Sequence, residues 1–294
     1  MSKTINSTVI IGKSSNKPLT ARRPGYGTMR LTGEGFFGEP ANRPAALKIL
    51  KRAVELGVNY IDTADFYGPG VTNRLIAEAL YPYPVDLIIG TKVGAKRGDD
   101  KSWNPFTKPE QLRESIENNL KELKQEQLSL VHFRFMNGGE ETFEESLAAM
   151  FDMQKEGKIL HVGLSNVSKD LLQNGLKMGK IASVQNLYGY TQRTTLSGHL
   201  GGAGGEEIMD LLEENQIPLI PYFSLQTSIG KDQTKIEQVA EKYGLTTAQM
   251  NITWLLNRSP LMLPIPGTTS IEHLEENLKA AHIILTNEDI EFLA

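Results

Sequence analysis

The chain has 294 residues, 39% of them hydrophobic and 22% charged, an ordinary proportion for a globular protein. Its 31 Lys and Arg are outweighed by 35 Asp and Glu, for a net charge of −4, and the basic residues are scattered, which excludes the basic stripe that a nucleic-acid partner would require. No cysteine is present for a disulfide or a thiolate metal site, no apolar run reaches the ~18 residues of a membrane span, and the first residues lack a signal-like apolar stretch, so a cytoplasmic protein without a membrane partner is expected.

From the N-terminus onward, short apolar runs alternate with amphipathic stretches. "RRPGYGTM" reads as the first strand, followed by "VNYID", "LIIGTK", "LSLVHFRF", "ILHVGLS", "ASVQNLY", "IPLIPYF" and "LMLPIPG". Between them, "PAALKILKRAVELG" predicts a helix with Leu47, Leu50, Val54 and Leu56 near one stripe, and "QLRESIENNLKELK" one with Leu112, Ile116, Leu120 and Leu123. Strands alternating with helices at this spacing imply right-handed βαβ units and parallel pairing, and eight such units close a barrel. The expected fold class is therefore α/β, a (β/α)8 TIM barrel, in a single domain of residues 1–294. No linker divides the chain, and "RTTLSGHLGGAGGEE" reads as a mobile loop whose glycines are too irregular for a phosphate-binding fingerprint.

Catalytic groups of such barrels sit at the C-terminal ends of the strands. Asp62 ends the second strand, Tyr67 follows in the loop, and Lys92 ends the third. Singly, Asp62 also suits a helix start and Tyr67 an amphipathic loop. A lysine closing an apolar strand, however, needs a carboxylate to offset its desolvation, and Asp62 on the adjacent strand is placed to provide it. Together the three suit reduction of a carbonyl: Tyr67 delivers a proton, its reference pKa of about 10 lowered by the Lys92 ammonium. A Schiff-base aldolase built on Lys92 is the rival reading, and it predicts no nucleotide site.

Other strand ends offer a cradle. Ser165, Asn166 and Gln185 could hold a nicotinamide carboxamide, and Tyr222 could stack on its ring. Gly267, Thr268, Thr269 and Ser270 open a helix after the eighth strand, where phosphate is welcome, although a plain capped helix uses the same residues. The histidines His161, His199 and His282 show no metal spacing, so no metal is expected.

The motifs "GYGTM", "IDTADFYG", "GTK", "GLSN", "VQNLY" and "PIPGTTSIEHLEEN" together resemble the aldo-keto reductases over nearly the whole chain. That resemblance implies a barrel binding NADPH or NADP in an extended pose without a Rossmann fingerprint, its floor capped by a hairpin at "STVIIGKSSNKPL". It implies Asp62, Tyr67 and Lys92 as three of four catalytic groups, with Tyr67 the acid. Ser165, Asn166 and Gln185 match the carboxamide binders, and Tyr222 the stacking aromatic. The cofactor set extends to Gly27, Thr28 and Met29, to Phe223, Ser224 and Leu225, and to Gly267, Thr268, Thr269, Ser270, His273, Glu276 and Asn277. His273 stands where many relatives carry Arg, and Gly267 where some carry Lys. The stretches "GEGFFGEP", "DFYGPGVTNRLIAEALYPY" and "GAKRGDDKSW" are similar to the bacterial pyridoxal reductases, also called pyridoxine 4-dehydrogenases.

The family's fourth catalytic group is usually a His ending the fourth strand. Here strand alternation puts Arg134 at that place, with His132 two residues earlier on the same side. Arg134 is the preferred candidate, because the pyridoxal-reductase subgroup carries Arg there; His132 stays as the alternative. A guanidinium orients an oxygen but shuttles no proton. The expected protein is an NADPH-dependent reductase of a small aldehyde, pyridoxal first, with a monomer as the expected state. A general aldehyde or ketone reductase, and a non-enzymatic nucleotide-binding subunit similar to potassium-channel β subunits, are the alternatives.

Overall fold

The computed structural model describes residues 7–136, 143–195, 202–223, 225 and 233–294. An antiparallel hairpin comes first, β1 (Thr8–Ile11) against β2 (Leu19–Arg22). Then β3 (Tyr26–Gly27), β4 (Tyr60–Asp62) and β5 (Ile88–Val93) run parallel, and a small hairpin, β6 (Ala95–Arg97) with β7 (Trp103–Pro105), is inserted after β5. The parallel sheet continues through β8 (Leu128–Arg134), β9 (Ile159–Ser165) and β10 (Val184–Gln185), in the order β3, β4, β5, β8, β9, β10.

Two further stretches close the ring. Ile220 N donates to Val184 O at 2.8 Å, Leu219 N to Leu261 O at 3.0 Å, and Gly25 N to Pro264 O at 2.9 Å, so residues 217–222 and 261–266 stand as the seventh and eighth staves of the barrel. They are bridged at single residues rather than laddered, because Pro218, Pro221, Pro264 and Pro266 have no N–H to give. The sequence pattern locates both stretches, but regular pairing is lost where proline interrupts it.

Ten α-helices are described: α1 (Arg43–Glu55), α2 (Val71–Leu80), α3 (Pro109–Glu122), α4 (Phe143–Lys155), α5 (Lys169–Met178), α6 (Met209–Asn215), α7 (Gln233–Lys242), α8 (Thr247–Arg258), α9 (Ile271–Ala280) and α10 (Asn287–Phe292). Their starts follow local chemistry. Asn42 accepts from Ala45 N at 3.0 Å and Pro44 occupies the first turn of α1, while Thr246 and Gln249 form a reciprocal cap on α8.

Alternation along the strands divides the core in two. Ile61, Ile89, Val131, Val162 and Val184 face outward and pack on the helices, where Ile49 and Leu50 are fully buried, each worth roughly 1.5–3 kcal/mol. Inside the barrel base, Tyr60, Ile88, Leu130, Ile220 and Leu263 pack against Val9, Ile11 and Ala21, so the first hairpin plugs the floor. The buried stripe of α1 runs through Ala46, Ile49, Leu50 and Ala53, with Leu47, Val54 and Leu56 only at its flanks, a rotation from the expected stripe. Small alanines face the sheet because they let the helix approach it. In α3, Asn119 is fully buried and Leu120 is not, since hydrogen-bond partners behind β5 draw the polar residue inward.

Among the described residues no helix is long and apolar enough to cross a membrane. Residues 196–201 of the glycine-rich loop lie outside the described residues; on its far side Gly204 bridges Leu187.

Candidate active site

Strand register brings the polar strand ends to one mouth. Gly27 pairs with Asp62, Lys92 with His132, Arg134 with Ser165, and Ser165 with Gln185. By alternation the side chains of Asp62, Lys92, Arg134, Ser165 and Gln185 all face the barrel interior near the C-terminal ends of their strands.

At its centre Lys92 Nζ lies 2.6 Å from Asp62 Oδ2 and donates also to Thr63 O at 2.8 Å, both side chains being at most 3% exposed. Gln185 Nε2 donates to the second carboxylate oxygen, Asp62 Oδ1, at 2.8 Å. The Lys92 nitrogen stands 4.8 Å from the Tyr67 ring centre. Burial pulls the ammonium down, and Asp62 with Tyr67 more than offsets it, so Lys92 holds its proton more tightly than a free lysine. Burial raises the Asp62 carboxyl despite Lys92 and Gln185, which is the cost of keeping an ion pair dry. A protonated, doubly bonded ammonium is no nucleophile, which disfavours the aldolase reading.

The Tyr67 phenol departs from expectation. Burial raises its pKa, and the lowering pull of Lys92, even with Arg134 added, does not overcome it. Desolvation of a phenolate in this enclosed site outweighs the neighbouring charges. Tyr67 is thus fully protonated at neutral pH, the state a proton donor needs, but the ammonium acts by limiting the rise.

Arg134 and His132 separate cleanly. The Arg134 guanidinium carbon lies 5.9 Å from the Tyr222 ring centre, and its buried Nε has no hydrogen-bond partner among the described residues. His132 is wholly enclosed one layer lower, where Nε2 meets Ser183 Oγ at 2.9 Å and burial pushes the imidazole down to about 3. Gly163 opposite makes its room, for a Cβ there would stand 2.6 Å from the ring. His132 is therefore a neutral interior residue.

The expected cofactor residues fall into four groups. Ser165 is fully buried, and its hydroxyl has no hydrogen-bond partner among the described residues, as a group awaiting a carboxamide would be. Asn166 is otherwise engaged: Oδ1 accepts from Ala203 N at 2.7 Å and Nδ2 donates to Phe135 O at 2.9 Å, so this amide ties the loops together. Tyr222 bonds Asn166 Oδ1 at 3.3 Å and meets Phe223 edge-on; Leu225 is half-buried and Ser224 lies outside the described residues.

At the eighth stave, Thr268 Oγ1 accepts from Ser270 N at 3.1 Å and Ser270 Oγ caps α9 through His273 N at 3.3 Å, while Thr269 and His273 are exposed. Gln249 reaches Glu276 at 3.4 Å, and Asn277 is buried. Gly267 sits against the first strand, where a Cβ would stand 2.7 Å from Gly27 O, which is why a long side chain has no place there. Thr28 donates to Asp62 O at 2.9 Å, fixing the back of the acidic strand end, and Met29 is partly buried.

Sequence reasoning missed the wall beside Tyr67. Ala64, Phe66, Tyr67 and Ala95 pack with Met29 and Met136, and Phe66 meets Trp103 edge-on at 5.6 Å. Arg97 stacks on Trp103 at 4.3 Å and donates to Gly35 O, Phe36 O and Lys101 O, which pins the β6–β7 hairpin over the mouth. Only the single aromatic residue of "GAKRGDDKSW", Trp103, hinted at this. Asp65, the second acid of the loop, turns to Ser115 on α3, and burial pushes it up to about 8. Among the described residues no cluster of His and acidic side chains could hold a metal.

A profile of the Aldo/keto reductase family matches residues 25–294. Over 279 residues the chain is 40% identical to pyridoxine 4-dehydrogenase of Escherichia coli K12, covering 93% of this chain and 94% of that protein. A thermostable aldo-keto reductase solved with the inhibitor epalrestat superposes with a TM-score of 0.79 at 26% identity, over 97% of this chain and 98% of the other. An aldo/keto reductase from Klebsiella pneumoniae, solved with NADP and acetate, gives 0.76 at 23% identity, over 98% and 94%.

Proposed function

The chain belongs to the aldo/keto reductase family, and on that footing we propose that it is an NADPH-dependent reductase converting pyridoxal to pyridoxine. The observation that carries the reading is the buried Lys92–Asp62 pair held 4.8 Å from the ring of a protonated Tyr67. NADPH, when bound, supplies the hydride. Ser165 and Gln185 hold its carboxamide end, and residues from Gly267 to Asn277 its adenosine phosphate. Tyr67 gives its phenolic proton to the carbonyl oxygen, and Lys92, kept charged by Asp62, stabilises the phenolate left behind.

Support for the substrate comes from two features. The apolar wall of Phe66, Ala95, Met29 and Met136 accepts a flat aromatic ring. The unpartnered Arg134 Nε offers a donor to the phenolic oxygen beside the pyridoxal aldehyde. The 40% relative is named for the reverse conversion of the same pair. A panel of aldehydes, with NADPH consumption followed optically, tests the reading: pyridoxal is expected to give the largest kcat/KM, and a panel in which it is inactive overturns it.

The nucleotide preference has its own test. NADPH is expected to bind more tightly than NADH, by fluorescence quenching, because the segment from Gly267 to Asn277 after the eighth stave resembles a phosphate site. Equal dissociation constants for the two nucleotides would contradict that assignment.

A further inference from the structure

Behind the catalytic strands runs a buried polar chain that the chemistry above does not use. Thr91 Oγ1 donates to Asn119 Oδ1 at 2.6 Å, Asn73 Nδ2 to the same oxygen at 2.9 Å, and Thr63 Oγ1 to Asn73 Oδ1 at 2.9 Å. Thr63, Asn73, Thr91 and Asn119 are all fully buried between the sheet and the helices α2 and α3. Apolar residues would fill this space more cheaply, since each buried polar group must be matched to a partner. The chain ends at Glu122, which Asn73 Nδ2 reaches at 3.2 Å and which pairs with Arg74 at the surface.

Its position in the sequence gives the reason. Thr63 follows Asp62, and Thr91 precedes Lys92, so the two strand ends bearing the ion pair are tied from their outer side. The carbonyl of Thr63 is itself the second acceptor of the Lys92 ammonium, at 2.8 Å, and Thr63 N is held by Gly90 O at 2.8 Å. Apolar contacts are non-directional and tolerate small slides of one strand against another, whereas directional hydrogen bonds hold orientation.

We propose that Thr63, Asn73, Thr91 and Asn119 are positioning residues that fix the Thr63 carbonyl, the second acceptor of the Lys92 ammonium beside Asp62, and through it hold that ammonium in place against Tyr67. The proposal rests on Tyr67 as proton donor. If the clamp is cut, the Thr63 carbonyl is free to shift, the ammonium keeps Asp62 but is no longer held at its present place beside Tyr67, its pull on the phenol weakens while burial stays, and Tyr67 becomes a weaker acid. Proton transfer then limits turnover more strongly.

Thr91→Val keeps the shape and removes one hydroxyl; Thr91→Ser keeps the hydroxyl; Thr63→Val cuts the chain independently. In the purified full chain, both Val variants are expected to lower kcat for aldehyde reduction about tenfold, corresponding to about 1.4 kcal/mol, with NADPH affinity unchanged and a larger solvent deuterium isotope effect on kcat. Thr91→Ser should restore both kcat and the isotope effect. Unchanged kcat and isotope effect in both Val variants overturns the proposal, as does a loss of kcat that Ser fails to rescue. A Tyr67→Phe control separates the two ideas: turnover surviving in that variant removes the proton-donor reading itself, whereas turnover lost there with Thr91→Val unaffected removes only the clamp.

Discussion

Tyr67→Phe is expected to retain NADPH binding and to lose about 10²–10⁴-fold in kcat for aldehyde reduction, the usual share of a positioned general acid. The ring packing against Phe66 survives, so the melting temperature should hardly move. Lys92→Met should lose turnover to a similar extent through a different cause, because the phenolate loses its stabilising charge. It also strands Asp62, already raised by burial, without its cation, and breaking a buried pair costs about 3–5 kcal/mol. The sign of its pH dependence follows. The stranded carboxyl has a folded pKa above its unfolded value, so stability is present at low pH, where it is protonated, and is lost as pH rises through that raised pKa. The stability gap between Lys92→Met and the parent should therefore widen from acid to alkaline buffer. Thermal scans at two pH values, beside single-turnover reduction, check both parts. Normal turnover by Tyr67→Phe would sink the assignment, and substrate trapped on Lys92 by borohydride would return the aldolase reading.

Arg134→His should cut kcat/KM for pyridoxal by more than it cuts kcat/KM for benzaldehyde, the difference reaching about 10–100-fold if the guanidinium supplies a charged hydrogen bond of about 1.5–3 kcal/mol. The argument rests on where the guanidinium stands, beside Tyr222 with a buried Nε unmatched. A phenolic oxygen next to the aldehyde gives that donor an acceptor, and benzaldehyde does not. His132→Ala should not reproduce this selectivity, because the imidazole faces Ser183 one layer lower and stays neutral with a pKa of about 3. An equal fall for both aldehydes, or a selective fall from His132→Ala alone, would transfer the role to His132.

Much of the barrel could be read from one dimension. Apolar runs separated by amphipathic stretches carry the strand-helix alternation in themselves, and the strand ends follow from where each run stops. Asp62 and Lys92 are consequently legible as neighbours, since parallel pairing of β4 with β5 follows from chain order. Counting two residues along a strand puts Arg134 and His132 on the same face, and the register sets His132 beside Lys92 and Arg134 beside Ser165. The seventh and eighth staves were legible as runs but not as bridged edges, because what their prolines deny is visible only against a partner strand.

Hydrophobic patterning by itself determined the barrel and the ring of strand-end residues, for these depend on local periodicity and on the order of elements, whereas the floor hairpin was legible only through the family resemblance. Tertiary structure alone decided what those residues are. Desolvation is a sum over all neighbours, so only the closed site shows that burial wins over Lys92 in setting the Tyr67 proton. Hydrogen-bond partners far apart in sequence are equally hidden: Gln185 on Asp62 spans 123 positions, and Asn119 enters the core only because Thr91 and Asn73 meet it there. Periodicity reports which side of a helix is greasy, whereas a buried amide is placed by the groups that satisfy it, and those come from other elements of the fold.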